Sequence, residues 1–366
     1  MIRILQVFST LNAGGMENYV MNLYRRMDRT QIQFDFLVHH RARGIFEDEI
    51  ESMGGRVYHL SVLDDKNILK YCADLNRFFR THPEYRIVHG HLSSLAFFYL
   101  GYARMHGVPH RISHSHGAGF LRTPKGYAKF LLFRGAKWNA NVRLACSAEA
   151  GRYLYGKSPF TVVPNAIDCR RFSFDPKVRA QMRQELGVED SFVVGHVGRF
   201  NLQKNHTFLL RLFQALLTEI PTAKLLLLGE GELLDSVQLQ ARQLGIADHV
   251  IFAGVHKDCE RYYQAMDAFV LPSLFEGLPV TGIEAQYAGL PCFFADTISR
   301  ETAITASAKF LGIQEADIPV WCRELNAAAN AERKAVTDLT TDAFHSDTAA
   351  RNMAQLYQKM WEKESC

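Results

Sequence analysis

The clearest chemical pattern in the sequence is a pair of glutamates, Glu276 and Glu284, with seven residues between them. A Gly-Leu-Pro turn after an apolar strand opens a helix between the two acids, and Pro279 suits the first helical position. The free N–H groups of a first helical turn, assisted by the helix dipole, form a site for an anion. The two acids could then bind separate hydroxyl groups of one extended ligand. The alternative is that Glu276 caps the helix and Glu284 is an ordinary surface acid.

A basic loop is the second pattern. Arg199 and Lys204 follow the predicted strand 192–197 and precede a predicted helix that starts at Asn205. A planar guanidinium and a mobile ammonium on one loop can together neutralise a diphosphate. A solvated loop that carries two ordinary cations is the alternative.

A pair of glycines, Gly14 and Gly15, follows the first predicted strand and precedes Glu17. Paired glycines let the backbone approach a phosphate or a sugar closely where a helix begins. The loop matches neither GxGxxG nor a Walker loop, so a simple tight turn is an equal alternative. Glu230 and Val255 also follow predicted strands, where each could line a nucleotide pocket or belong to a plain turn.

Four histidines end two neighbouring predicted strands, namely His89, His91, His114 and His116. Alternate positions on a strand share a face, so each pair can point into a cleft. The HxH spacing also suggests zinc, but tetrahedral zinc sites with acid or thiolate partners have clearer patterns, and we expect no metal. One or two of these histidines are expected to act as hydrogen-bond donors or proton shuttles, and the rest as structural residues.

The elements that must position these residues alternate regularly between short apolar strands and amphipathic helices, which predicts two parallel sheets covered on both faces. We therefore expect an α/β protein with two doubly wound, Rossmann-like domains, residues 1–168 and 169–346. The final helix, 347–366, is expected to pack back on the first domain. Ligands of such sheets bind beyond the carboxyl ends of the strands, so a cleft between the two domains is the expected site.

Composition limits the class of protein further. The chain has 366 residues, of which 48% are hydrophobic and 22% charged, which excludes disorder, collagen and a coiled coil. The seven cysteines are scattered and form no CxxC pair, which favours a reducing compartment. No apolar run is long enough to span a membrane, and the first residues read as a strand rather than a signal peptide. A cytoplasmic location is therefore expected.

The charge is distributed unevenly. Residues 1–172 carry 24 Lys and Arg against 13 Asp and Glu, whereas the remainder carries 18 against 25. Residues 120–138 mix basic and aromatic side chains, as interfacial membrane segments do, and this predicts peripheral contact with the inner face of the membrane. A core helix with solvated cations is the alternative. Nucleic acid is not expected, because no nucleic-acid-binding module accompanies the basic stretch.

Together these residues resemble the retaining glycosyltransferases of family 4, which have the GT-B fold. That family has two glutamates separated by seven residues, an Arg and a Lys on the first loop of the second domain, and a GGxE turn in the first domain. Its domains are joined by V-P-N-G-I-D, which residues 163–168 match with Ala166 in place of the usual glycine. The sequence of residues 278–292 is similar to that of the family branch found in bacterial capsular and exopolysaccharide gene clusters.

The resemblance implies a nucleotide-diphosphate sugar, most naturally a UDP-sugar, held mainly by the second domain. Arg199, Lys204 and the backbone amides of the turn before the helix would stabilise the diphosphate, Glu276 would bind sugar hydroxyls, and His116 would reach the sugar or the acceptor. The other donor-binding residues that it implies are Gly14, Gly15, Glu230, Val255 (base), Gly277, Leu278, Pro279, Val280 and Glu284 (ribose). A glycan or lipid-linked acceptor would lie beside Glu17, His91 and His114. His114 is one strand pleat from His116, so the choice between these two stays open.

The chemistry implied by the family is transfer with retention through an oxocarbenium-like state. The chain has no DxD motif, and Arg199 and Lys204 can replace a cation, so we expect neither a metal nor another cofactor. A nucleotide-sugar epimerase of GT-B-like fold and a catalytically silent nucleotide-sugar-binding protein are the alternatives. An NAD-dependent oxidoreductase would need a glycine fingerprint that neither half contains.

Overall fold

The computed structural model describes residues 1–12, 14–60, 67–119, 134–331, 333 and 342–363. Its strands are β1 Ile2–Phe8, β2 Ile32–Val38, β3 Val57–His59, β4 Ile87–Gly90, β5 His110–Ser115, β6 Val142–Ala145, β7 Thr161–Val162, β8 Val193–Val197, β9 Lys224–Leu228, β10 Val250–Gly254, β11 Ala268–Leu271, β12 Cys292–Ala295 and β13 Ala308–Leu311. Its helices are α1 Gly15–Arg26, α2 Glu47–Ser52, α3 Ile68–Thr81, α4 Ala96–Met105, α5 Ala148–Tyr155, α6 Cys169–Phe172, α7 Pro176–Leu186, α8 His206–Leu216, α9 Leu234–Gln243, α10 Cys259–Ala265, α11 Val280–Tyr287, α12 Ile318–Ala329 and α13 Ser346–Glu362.

The chain folds into two compact units. The first contains Met1–Ile167 and the segment that begins at Ala343, and the second contains Asp168–Asp342. The chain leaves and re-enters the first unit at adjacent points, because Ile167 donates to Phe344 O at 2.9 Å and Ser346 donates to Ile167 O at 3.0 Å. The first unit is therefore built from two separate stretches of sequence.

Each unit is built on one parallel sheet. The first sheet has seven strands in the order β3-β2-β1-β4-β5-β6-β7, and the second has six in the order β10-β9-β8-β11-β12-β13. Every strand pair in both sheets is parallel, and the central strands are buried almost throughout. Parallel strands need helical crossovers that cover the faces of the sheet, which explains why most of the strand sequences are rich in apolar residues. The predicted α/β fold with two parallel sheets is thus confirmed.

The last helix, α13, packs in the first unit. Met353, Tyr357 and Met360 lie in the same apolar cluster as residues of α1, β1 and β2. Arg26 of α1 also donates to Asp347 at the start of α13 at 2.6 Å. The sheet's other face is covered by α3 and α4, whose buried side chains form a separate cluster. Among the described residues, no helix is both long enough and apolar enough to cross a membrane.

Candidate functional site

Lys204 and Glu276 form an ion pair in the second unit, at the carboxyl ends of two neighbouring strands. Lys204 lies in the loop after β8 and Glu276 in the loop after β11, and these strands are paired in the sheet. Lys204 Nζ donates to Glu276 Oε1 at 2.6 Å, and the two side chains are only 14% and 10% exposed. An ammonium has three N–H donors and Glu276 takes one, so the group retains capacity to bind an anion.

Backbone and amide contacts hold the two loops together. Gln203 Nε2 donates to Phe275 O at 2.9 Å and to Glu276 Oε2 at 3.1 Å, while Leu274 donates through its N–H to Gln203 O at 2.8 Å. Asn205 has a left-handed backbone, with φ of 56°, and its side chain donates to Pro272 O at 3.2 Å. Asparagine tolerates this conformation better than most residues, so the sequence after Lys204 turns sharply and begins α8.

Arg199 lies on the same loop as Lys204 but contacts a different acid. Its side chain is 69% exposed, and the guanidinium lies 3.3 Å from Glu232 Oε2. An exposed pair of this kind contributes little to stability, and the long side chain can exchange Glu232 for another anion at small cost. The structure therefore brings Lys204 and Glu276 together, whereas Arg199 pairs elsewhere.

Two glycines let the loop after β9 approach the loop of Arg199. Gly229 and Gly231 have φ of 136° and 154°, a region that side chains disfavour. A Cβ on Gly229 would lie 2.2 Å from Gly198 O, and one on Gly231 would lie 2.4 Å from Phe200 O. Glu230 between them is exposed, and its carbonyl accepts from Phe200 N at 2.9 Å. The sequence around Glu230 thus has a clear structural role.

Glu284 is a buried acid rather than a surface acid. It lies on α11 with 8% exposure, and the Tyr263 hydroxyl donates to its Oε2 at 2.8 Å. Burial raises the pKa of Glu284 to about 7, although the Tyr263 hydrogen bond and Arg171 oppose the shift. Glu284 and Glu276 have different partners and therefore lie in separate environments. Separate environments are what two acids need in order to bind two different sets of hydroxyl groups.

The turn before α11 presents backbone rather than side chains. The helix begins at Val280, and Pro279 is the N-cap residue, one position before the predicted one. Leu278 and Val280 are buried at 4% and 7% exposure, and Gly277 is also buried. Any role for these residues in binding a ligand must therefore come from their main-chain groups.

Val255 lies at the same edge of the second sheet. It follows β10, is 47% exposed, and comes after Gly254, whose carbonyl accepts from Gly229 N at 2.8 Å. Because all the strands are parallel, the loops after β8, β9, β10 and β11 meet at one edge. The candidate residues of the second unit therefore share that edge.

In the first unit, the GGxE turn folds on itself. Gly14 is the N-cap of α1 and Gly15 its first residue, while Glu17 reaches back over the turn. A Cβ on Gly14 would lie 2.2 Å from Glu17 Oε2, so only glycine fits there without displacing the acid. Burial raises the pKa of Glu17 to about 7. A carboxylate at this helix terminus is favourably placed with respect to the helix dipole.

The four histidines form one hydrogen-bonded group in the first unit. His91 Nδ1 lies 2.9 Å from His116 Nε2, and His89 Nε2 lies 3.2 Å from His114 Nδ1. Three of them are 0–2% exposed and His116 is partly buried. Burial lowers the pKa of His89 to about 3 and that of His116 to about 4, and holds those of His91 and His114 well below the ordinary value. All four rings are therefore neutral near pH 7.

The ligand atoms of His89, His91 and His114 lie within 4.8 Å of one another, which is a spacing that could suit a metal. Both nitrogens of His89 and of His91, however, already have hydrogen-bond partners. A metal ion held by these three rings would therefore have to replace existing hydrogen bonds.

Several polar residues of these sites were not anticipated from sequence. Gln203 and Tyr263 support the two acids of the second unit, and Gln6, Asn165 and Tyr357 bond to the histidines. Gln6 carries a visible signal, because it is a polar residue between the apolar residues Leu5 and Val7 of β1. Tyr357 carries none, since its partner is 268 positions away in the chain. The predicted membrane segment 120–138 lies outside the described residues up to 133, and residues 134–139 are helical.

The chain is similar to known glycosyltransferases along most of its length. Residues 13–171 match the family model described as Glycosyltransferase Family 4, and residues 178–317 match that described as Glycosyl transferases group 1. A protein named as the glycosyltransferase EpsF, from Bacillus subtilis (strain 168), is 34% identical over 341 residues, covering 90% of this chain and 88% of that protein. The UDP-Gal:alpha-D-GlcNAc-diphosphoundecaprenol alpha-1,3-galactosyltransferase of Escherichia coli is 28% identical over 231 residues, covering 58% of each.

Among solved structures, Anabaena HepE in complex with UDP-glucose superposes with a TM-score of 0.78. The match covers 100% of both chains at 18% identity, so it bears on the fold alone. Together with the two parallel sheets, it confirms the predicted GT-B fold.

Proposed function

The chain belongs to glycosyltransferase family 4, and on that premise we propose that it moves a hexose or an N-acetylhexosamine from a UDP-sugar to a glycan or lipid-linked acceptor. The anomeric configuration is retained, and the reaction serves surface polysaccharide synthesis in the cytoplasm. The observation that carries the proposal is the Lys204–Glu276 pair at the sheet edge of the second unit. HepE, of the same fold, is solved with UDP-glucose, and the Escherichia coli relative uses UDP-Gal.

The roles follow from charge. Lys204, Arg199 and the main chain of residues 277–280 receive the diphosphate, on which negative charge grows as the bond to the sugar breaks. Glu276, held by Lys204 and Gln203, accepts hydrogen bonds from hydroxyl groups of the sugar. Glu284 accepts hydrogen bonds from the ribose hydroxyls, and the base lies beside the main chain of Val255 and Glu230. Contacts that strengthen in the transition state raise the rate more than those already complete in the ground state.

In the first unit, His116 is assigned to contact with the sugar or the acceptor. The Gly14-Gly15 turn allows close approach of the main chain, and Glu17, His91 and His114 belong to the acceptor side. The acceptor hydroxyl attacks from the face of the departing diphosphate, and a phosphate oxygen takes its proton, so the configuration is kept. No side-chain nucleophile is required.

Turnover with purified protein tests the proposal. UDP-glucose, UDP-galactose and UDP-N-acetylglucosamine are supplied with glycan acceptors, and UDP release and the anomeric proton of the product are followed. Glu276→Gln should lower kcat by about 100- to 1,000-fold without loss of fold, whereas Glu315→Gln, an exposed acid of the same unit, should not. Interconversion of UDP-sugars without an acceptor would identify an epimerase, and binding without turnover would identify a silent binding protein.

Independence from metal belongs to the same proposal. Lys204 and Arg199 supply the positive charge that a divalent cation supplies in other transferases. Full activity is therefore expected in excess EDTA. Strict dependence on Mn²⁺ or Mg²⁺ would contradict this assignment.

Peripheral membrane contact is proposed for the first unit, through residues 120–138 together with exposed apolar side chains of α3 and α4. Leu69 of α3, Met105 of α4 and Trp138 are 84%, 74% and 66% exposed. Arg104 donates to Trp138 O at 3.4 Å and Lys137 lies over the Trp138 ring, so two cations border Trp138. Residues 85–148 contain no Asp or Glu. Apolar groups rimmed by cations suit an anionic lipid surface.

Vesicle flotation tests this contact. Vesicles with phosphatidylglycerol should float the protein, and neutral vesicles should not. Replacement of Leu69, Met105 and Trp138 by serine should abolish flotation, whereas Leu239→Ser, which alters a 52% exposed apolar residue of the second unit, should leave it unchanged. Equal recovery of the triple variant and the native protein would contradict the proposed surface.

A further inference from the structure

Two buried histidines of the second unit lie next to the loop that carries Lys204. His196 belongs to β8 and His206 is the first residue of α8, and their side chains are 0% and 2% exposed. The centroids of the two rings are 4.9 Å apart, and the Phe200 ring stacks on His206 at 4.2 Å. The motifs and roles described above leave both histidines without a function.

The main chain fixes the tautomer of His196. Its Nδ1 lies 2.9 Å from Val270 O on the neighbouring strand β11, and a carbonyl oxygen only accepts, so Nδ1 donates. Burial, together with the neighbouring His206 and the charge of Lys204, holds the pKa of His196 well below its ordinary value. The ring is therefore neutral near pH 7, and its Nε2 carries a lone pair that can only accept a hydrogen bond.

This lone pair is buried without a protein partner. Within the part of the chain that the structure describes, neither His196 Nε2 nor either nitrogen of His206 has a hydrogen-bond partner. Buried polar atoms in folded proteins nearly always bind a protein group or an ordered water. Three such nitrogens on two adjacent rings therefore indicate a small polar ligand at this place.

Lys204 can supply the missing donor. A Cβ on Gly198 would lie 3.1 Å from His196 Nε2 and 3.0 Å from Lys204 Cε, so both atoms border the space that the glycine leaves. The ammonium has three N–H groups, of which Glu276 accepts one at 2.6 Å. A water that accepts from Lys204 and donates to His196 Nε2 would also lie near His206. Buried waters require two to four such polar neighbours, and here there are three.

We propose that His196 is a positioning residue for Lys204, with its Nε2 joined to the ammonium through one buried water. Glu276 and this water then take two of the three N–H groups, and the third is directed at the diphosphate. A donor that is oriented before the reaction needs no rearrangement as charge grows on the leaving group. The effect on sugar transfer rests on the proposed function, whereas the hydrogen bond at His196 Nε2 does not.

Two substitutions of His196 separate this role from a structural one. In His196→Asn, the shorter amide lies where Nδ1 was and can still donate to Val270 O, but the acceptor at the Nε2 position is lost. In His196→Gln, the longer amide retains an acceptor at the Nε2 position and loses the bond to Val270. We expect His196→Asn to lower kcat by about tenfold with an unchanged KM for the UDP-sugar, because Lys204 is less well oriented. His196→Gln should keep nearly native kcat.

A purely structural role predicts the reverse order, because only the asparagine variant keeps the bond to Val270. Native kcat in His196→Asn would overturn the proposal. A glutamine variant that is as slow as the asparagine variant, or slower, would also overturn it.

Nuclear magnetic resonance tests the hydrogen bond without substrate, in full-length protein labelled with ¹⁵N-histidine. The native protein should show His196 protonated at Nδ1, with the Nε2 shift of a hydrogen-bonded acceptor. In Lys204→Met, the Nε2 resonance should move towards that of an unbonded nitrogen, because the water loses its donor. Lys224→Met is the control, since Lys224 begins β9 at the other edge of the sheet and donates to Asp248 O.

The Lys224→Met spectrum should match the native one. A His196 proton on Nε2, or an Nε2 shift that is the same in Lys204→Met and in native protein, would overturn the proposal whether or not the His196 variants fold. Absence of UDP binding and of transfer by the native protein would count against the proposed function alone, because the spectra are recorded without a sugar nucleotide.

Discussion

Glu284 combines a buried charge with a proposed binding role, and this has a consequence for stability. Its pKa in the folded protein is about 7, above the ordinary 4.5, so the folded state holds the proton more tightly than the unfolded state. The protonated Glu284 therefore stabilises the folded protein fully below about pH 4.5, and this stabilisation is lost as the pH rises through about 7. The loss is on the order of 3 kcal/mol.

Glu284→Gln should remove this loss, because an amide has no charge to bury. The variant should be more stable than the native protein at pH 8 and similar at pH 5, measured by urea unfolding. Its UDP affinity should fall by about 10- to 100-fold, since a charged acceptor is gone from the ribose contact. Glu17→Gln removes an acid of equal pKa from the other unit and should show the stability gain with unchanged UDP affinity. Equal stability of Glu284→Gln and native protein at pH 8 would contradict the argument.

Arg199 is expected to contribute to catalysis but not to stability. Its exposed pair with Glu232 contributes little to folding, so Arg199→Ala should leave the midpoint of thermal unfolding nearly unchanged. If the guanidinium moves onto the diphosphate, kcat should fall by about 100-fold. Arg211→Ala removes a comparable exposed pair with Glu315 and should leave kcat unchanged. Native kcat in Arg199→Ala would remove Arg199 from the mechanism.

At the scale of elements, the loops after β8 and β9 depend on glycine. Gly229→Ala forces a side chain into a left-handed backbone and within 2.2 Å of Gly198 O, so the loop that carries Arg199 and Lys204 must shift. We expect a loss of about 1–3 kcal/mol of stability and weaker UDP binding. Gly245→Ala also places a side chain at a positive φ, 69°, but with no atom within 4 Å of the added Cβ. Isothermal titration with UDP should distinguish the two, and equal affinities would refute a role for this packing.

Some of these elements could be predicted from the sequence and others could not. The apolar strands of both sheets were predictable because parallel strands are buried on both faces, but the two-residue β7 and the partly exposed β13 lack that signal. Helix α7 was not anticipated although Asp175 caps it, Pro176 begins it and Gly187 ends it. The motif predicted Glu276 and Lys204 as site residues. It could not predict the Arg199–Glu232 pair, because the partner of an exposed side chain depends on the local geometry.

For the whole molecule, the two units differ in how the chain builds them. The second unit is one continuous stretch with its own apolar cluster around Trp321, Phe213 and Leu225. The first depends on α13, which returns after residue 342 and buries Tyr357 completely. A fragment 168–342 should therefore fold alone, whereas a fragment 1–167 should not, because it lacks the helix that covers α1 and β1.

This difference makes the location of the donor site measurable. If Lys204, Glu276, Glu284 and the main chain near Val255 account for recognition of the nucleotide, fragment 168–342 should bind UDP with an affinity within about threefold of the full chain, a difference of less than 1 kcal/mol. It should not turn over UDP-sugars, because the acceptor residues are in the other unit. Adding a peptide of residues 343–366 to fragment 1–167 should restore its helical circular dichroism, as the buried face of α13 requires. A folded fragment 168–342 that fails to bind UDP, beside a full chain that binds it, would place essential nucleotide contacts in the first unit and overturn the assignment of the donor to the second.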